Sequence, residues 1–139
     1  MIRKLNILDY KLKFIDLLSH LTKVSYVSEN DFINQYNNLK TSDLHLVIEK
    51  DNKIVGYGSI IIDFKFYRNC KNVGHIEDIV IHPDYRGNGL SKKIINQLID
   101  YGKNMNCYKI VLNCNENLED FYKNIGFKKG DNFMVKTLN

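Results

Sequence analysis

Cysteine is scarce in this chain and its number is odd. Cys70, Cys107 and Cys114 are the only three, and none stands in a C-x-x-C spacing, which excludes a disulfide framework and leaves no zinc-site pattern. They read as reduced thiols. His20, His45, His75 and His82 likewise show no metal-ligand spacing, so no metal is expected. No apolar run is long enough to span a bilayer, and polar residues interrupt Met1 to Asn6 before a signal-peptide core could form. A cytoplasmic protein with no membrane partner is therefore the expectation. The formal net charge of +4 is modest, and its lysines are scattered among Asn and Asp instead of gathered in one basic run. Without interleaved aromatic and basic residues, no nucleic-acid partner is expected; small anionic ligands suit this charge better. Repeats, linkers and low-complexity tails are missing too. At 139 residues there is enough chain for one core and too little for two ordinary domains, so residues 1–139 read as a single domain.

What is present is a soluble, globular composition, 44% hydrophobic and 26% charged. Leu12, Ile15, Leu18 and Leu21 recur at helical spacing and predict a helix from about Tyr10 to Val24; a second is predicted from Ser28 through Leu39, with Ser28 as its cap. Leu44 to Lys50 and Ile54 to Phe66 read as antiparallel strands joined by a turn at Asp51-Asn52-Lys53. Tyr67 to Val73 is a polar, positively charged connector. Gly74 to Ile81 then reads as the central strand, ended by Pro83-Asp84. Beyond Leu90, the residues Ile94, Leu98, Tyr101 and Met105, with Ile95 and Ile99 beside them, form one helical face. Lys109 to Leu112 predicts a strand, Leu118 to Ile125 a short helix stopped by Gly126, and Phe133 to Leu138 a last strand. Hairpins followed by β-α-β-α-β imply an α/β (α+β) sheet with helices against it.

Chemistry concentrates around Arg86-Gly87-Asn88-Gly89-Leu90-Ser91, between the central strand and the long helix. Glycines at 87 and 89 let the backbone curl and approach a ligand. The helix opening at Lys92 and Lys93 points its free N–H groups back at the loop, a place for a pyrophosphate that needs no metal. Just before the loop, Glu77 and Asp78 form an acidic pair. Adjacent residues on a regular strand face opposite sides, so the pair shares a face only if a bulge intervenes. Cys107 and Cys114 have no histidine in a recognisable partnership and read as packed thiols instead of acyl-accepting nucleophiles.

Ile79 through Ser91, together with Asp120-Phe121-Tyr122-Lys123-Asn124-Ile125-Gly126-Phe127, resembles the coenzyme A site of the GNAT superfamily of N-acetyltransferases. More narrowly, Gly74-His75-Ile76-Glu77-Asp78-Ile79, Gly102, Cys107-Tyr108-Lys109-Ile110 and Phe121-Tyr122 resemble the eukaryotic-type glucosamine 6-phosphate N-acetyltransferases. The resemblance implies a mixed central β-sheet flanked by helices on both faces. It implies acetyl-CoA as co-substrate, contacted by Ile79, Val80, Ile81, the 86–91 loop and Tyr122, and direct attack of an amine on the thioester. Glu77 or Asp78 would assist deprotonation, a bulge would free the Ile79 N–H for the carbonyl oxygen, and Tyr122 would serve the leaving thiolate. Beside Phe121 and Phe127, Tyr122 is also a candidate core aromatic.

For a sugar phosphate the same resemblance points to Thr22, Lys65 and Arg68, with Glu77, Asp78 and Asn113 near the sugar. A phosphate dianion requires charge-assisted donors. Asn113 stands where the resembled family carries an Asp, and Thr137 where it carries an Arg, with Lys136 alongside. An amide cannot act as a base, so proton removal rests on Glu77 or Asp78. The resemblance also implies a homodimer whose C-terminal strands help build the shared site. Acetylation of another small or peptide amine, and a non-catalytic acyl-CoA-binding module, are the alternative readings.

Overall fold

The computed structural model describes residues 1–138. A five-stranded mixed sheet runs in the order β1 (Ile2–Lys4), β2 (Leu44–Lys50), β3 (Lys53–Asp63), β4 (Asn72–Ile81) and β5 (Cys107–Val111). Every neighbouring pair is antiparallel except β4 and β5, which are parallel and joined by α4 (Leu90–Asn104). The β2–β3 hairpin closes at Asp51 and Asn52, with φ of 53° and 59°. Two positive φ values match a type I′ turn, the form whose twist suits a hairpin.

Helices cover both faces of the sheet. On one, Ile94, Ile95 and Leu98 of α4 are fully buried against Ile60, Ile62, Ile76 and Ile81. Each such side chain removed from water contributes roughly 1.5–3 kcal/mol. On the other, Phe14 and Leu17 of α1 (Phe14–Leu18) and Phe32 of α2 (Glu29–Asn37) pack on Val47, Ile54, Tyr57 and Val80. Ser28 caps α2 through a hydrogen bond from the Asp31 N–H, as its position before an acidic first turn predicts. Among the described residues no helix is long and apolar enough to cross a membrane.

Three sequence expectations change. In place of one helix over Tyr10 to Val24 there is a 3-10 helix, Ile7–Leu12, then α1; Asn6 and Asp9 form a capping box, and Lys13, with φ of 68°, breaks the run. The polar connector contains a single turn, α3 (Tyr67–Cys70), in which Arg68 and Asn69 are left-handed. The predicted strand at Phe133 to Leu138 does not form. Phe133, Met134, Val135 and Leu138 stand exposed instead, since a strand needs a partner and this segment has none within the described chain. The short strand β1 is an addition, held to β2 and bridged by Arg3, which binds both the buried Asp9 and Glu49 at 2.7 Å.

Candidate active site

The β3–β4 register contains the bulge. Tyr57 faces Val80 and Ser59 faces Glu77, so Gly58 alone spans Asp78 and Ile79. Asp78 takes a φ of 58°, a left-handed conformation that Asp tolerates better than most residues. Ile76 and Ile79 both join the apolar cluster under α4, although residues three apart on a regular strand face opposite ways. Glu77 and Asp78, between them, therefore share the other face, and both are exposed. The extra residue turns an alternating acidic pair into a convergent one.

Beside the bulge the sheet opens. β4 pairs with β5 only from Asn72 to His75, and the register ends at His75 and Val111. From Ile76 to Ile81 the β5-facing edge of β4 has no strand partner among the described residues, so its backbone lines a wedge. Asn113 and Cys114, both exposed, lie just past the end of β5 on the wedge's other arm. Backbone donors along such an edge suit an extended acyl arm laid parallel to the strand.

At the far end of β4 the chain turns through His82 to Tyr85, and Arg86 Nε donates to the Ile81 carbonyl at 3.0 Å. Gly87 and Gly89 have φ of 85° and 73°, and a Cβ at either would meet nothing within 4 Å. The space in front of the helix is open. Gly89 is the N-cap of α4 and offers no side-chain acceptor, so the first N–H groups of this 15-residue helix face that space uncapped. Lys92 and Lys93 are exposed on its first turn, and Leu90 is buried as an anchor.

Tyr122 sits on α5 (Glu119–Asn124), buried with its ring edge-on to Phe121 at 5.1 Å and Phe127 at 5.8 Å. It shares its cluster with Ile81, Leu90 and Ile94, the residues flanking the loop. Burial, and secondarily the charge of Cys114, push the phenol above the ordinary tyrosine value. It stays protonated at neutral pH. The core reading and the donor reading of Tyr122 are thus compatible: the ring packs and the hydroxyl remains a donor.

The candidate sugar-phosphate ligands fall at two ends. Lys65 pairs with Asp63 at 2.7 Å, and His75 Nε2 lies 3.4 Å from the same carboxylate. This pairing holds Lys65 above its ordinary value and Asp63 below its own. Arg68 lies over the Tyr108 ring at 4.7 Å, with Tyr67 edge-on to the same ring. Asp63 is opposite Val73, four residues before Glu77 and about 13 Å away along the strand. Thr22, exposed after α1, belongs to the other end, where His20 packs edge-on against His82 at 4.7 Å. One chain does not bring Thr22 together with Lys65 and Arg68. Asp63 was not anticipated from the sequence, and its place two residues before Lys65 was the available signal. A cavity of about 450 Å³ between Tyr10, Ile15 and Val24–Val27 contains none of these residues.

A sheet splayed beside a bulged strand, followed by a glycine loop that opens a long helix, defines an acyltransferase of the GNAT class. The chain belongs to the Acetyltransferase (GNAT) family, which it matches over residues 12–127. Among curated proteins it is 38% identical over 130 residues to the glucosamine 6-phosphate N-acetyltransferase of Arabidopsis thaliana, covering 90% of this chain and 87% of that one. It is 39% identical over 132 residues to glucosamine 6-phosphate N-acetyltransferase 1 of Dictyostelium discoideum, covering 91% and 83%. The crystal structure of the Arabidopsis glucosamine-6-phosphate N-acetyltransferase superposes with a TM-score of 0.96 at 36% identity, over 100% of this chain and 98% of that one.

Proposed function

We propose that residues 1–139 form one N-acetyltransferase domain that moves acetyl from acetyl-CoA to the amine of glucosamine 6-phosphate, supplying the N-acetylated sugar for UDP-N-acetylglucosamine synthesis. The observation that carries this reading is the β4 bulge, which puts Glu77 and Asp78 on one face beside the open edge of the strand. The β4 edge at Ile79, Val80 and Ile81 takes the acyl arm. Arg86, Gly87, Asn88, Gly89, Leu90 and Ser91 take the pyrophosphate at the α4 N-terminus.

The amine nitrogen attacks the thioester carbon while Glu77, through a water, accepts the amine proton. The carbonyl oxygen gains charge opposite the Ile79 N–H. As the C–S bond breaks, the thiolate accepts a hydrogen bond from Tyr122. A phenol raised above ~10 is a weaker acid than a thiol of ~8.5, so it donates a hydrogen bond and keeps its proton; solvent protonates the departing thiolate. Asp78 and Asn113 hold sugar hydroxyls or the amine.

The separation of Thr22 from Lys65 and Arg68 supports a homodimer, with the phosphate gripped by Lys65 and Arg68 of a second copy. Exposed Phe64, Phe66 and Tyr67 beside these bases, and the unpaired Phe133 to Leu138 segment carrying Lys136 and Thr137, are apolar surface suited to that contact. Three free thiols fit a reducing, cytoplasmic setting.

Release of free coenzyme A thiol tests the acceptor. Glucosamine 6-phosphate is expected to outperform glucosamine by ~10²-fold or more in kcat/KM, and Arg68→Ala to erase roughly tenfold of that preference without changing the KM for acetyl-CoA. Equal use of the two sugars defeats the roles given to Lys65 and Arg68. Asn113, an amide at the wedge mouth, favours the second reading, an unphosphorylated small amine, and preference for one would establish it.

A further inference from the structure

Buried polar side chains are few, and one of them touches the bulge. Ser59 is 1% exposed, and its hydroxyl donates to the Glu77 carbonyl at 3.3 Å, the last backbone acceptor before the extra residue. A hydroxyl shut away from water in a strand interior is costly unless it is bonded, and here its bond falls on the residue whose carboxylate faces the wedge. Two residues away on the same strand, the Tyr57 hydroxyl meets His45 Nδ1 at 2.7 Å and ties β3 to β2.

Gly58 supplies the complementary space. A Cβ there would stand 2.5 Å from Ile79 Cδ1, with Leu98 Cδ1 at 3.4 Å and Ile94 Cδ1 at 3.5 Å behind it. Ile79 is half-buried, so its Cδ1, the flexible end of the side chain, would have to swing out of its present rotamer to clear such a Cβ. A bare backbone at 58 lets Ile79 seat under α4 in its present rotamer, and with it the stretch of β4 that carries its N–H.

We propose that Gly58 and Ser59 are positioning residues for acetyl transfer: Gly58 admits the Ile79 side chain so that its N–H faces the cleft, and Ser59 fastens the Glu77 carbonyl so that its carboxylate stays on the cleft face. This rests on the reading of Glu77 and the Ile79 N–H given above. Neither residue touches substrate, and both act through β4.

Steady-state kinetics at saturating acetyl-CoA and acceptor test it, with melting temperature and circular dichroism followed for every variant. Ser59→Ala is expected to lower kcat by roughly tenfold or more, with the KM for acetyl-CoA within about twofold, because a misplaced base costs turnover before binding. Gly58→Ala is expected to lower kcat comparably. Gly58→Ala combined with Ile79→Val should restore most of it, since valine lacks the Cδ1 that the new Cβ meets. Either single variant turning over within about twofold of wild type overturns the proposal. Failure of Ile79→Val to rescue Gly58→Ala, or losses that track unfolding alone, also overturns it. A wild-type protein inert toward glucosamine 6-phosphate sinks the acceptor reading separately; the variant comparison is then made on the amine that wild type does acetylate.

Discussion

Tyr122→Phe lowers kcat by roughly 10²- to 10³-fold under the proposed mechanism, the usual cost of losing one transition-state donor. The KM for acetyl-CoA stays within about twofold, because only the hydroxyl is removed and the loop that holds the pyrophosphate is untouched. The substitution is clean for a structural reason. The ring packs edge-on against Phe121 and Phe127, and phenylalanine preserves that packing. A fall in stability of the order of a lost aromatic is therefore not expected. The pH profile gives a second reading. Burial raises the phenol, so the donor is present through neutral and mildly alkaline pH and is lost only above the ordinary tyrosine range of ~10. An alkaline limb of kcat that begins well below that range and disappears in Tyr122→Phe would contradict the burial argument; unchanged turnover would remove the phenol from the mechanism.

Glu77→Gln is expected to reduce kcat/KM by ~10²- to 10⁴-fold near neutral pH, the range for loss of a positioned general base. Part of the deficit should recover as pH rises, since the acceptor amine then loses its proton without help. Asp78→Asn is the control that separates the two carboxylates. Asparagine accepts the left-handed φ of 58° as readily as aspartate, so the bulge persists and only the charge is lost. If Asp78 holds the sugar or the amine, this variant raises the KM of the acceptor more than it lowers kcat. A deficit in Asp78→Asn that exceeds that of Glu77→Gln and is recovered at high pH would transfer the base to Asp78.

Legibility in the sequence followed the range of the interactions involved. The β2–β3 hairpin was readable because Asp51 and Asn52 are turn residues between two β-rich runs, and the turn is made by those residues themselves. The α4 stripe was readable for the same reason, and Ile94, Ile95 and Leu98 are buried as their period requires. The 86–91 loop was readable because two glycines with positive φ and a following helix need nothing beyond the local chain. The N-terminal helix was misplaced because Lys13 takes a left-handed conformation that no lysine advertises. The C-terminal strand failed because β-propensity in Phe133 to Leu138 describes a surface fit for pairing and says nothing of whether a partner is within reach.

Taken alone, the amino-acid sequence determined the loop, the acidic pair, the aromatic Phe121-Tyr122 and the succession of strands and helices, since each is written in neighbouring residues. Only the tertiary structure decided that Glu77 and Asp78 share a face. That depends on Gly58 spanning two residues of β4, a count made across strands and invisible along either one. The structure likewise decided that Lys65 is tied to Asp63, about 13 Å along the strand from Glu77. Charge type is a property of a residue, but whom it meets is a property of the sheet register, and register is set by packing between segments distant in the chain.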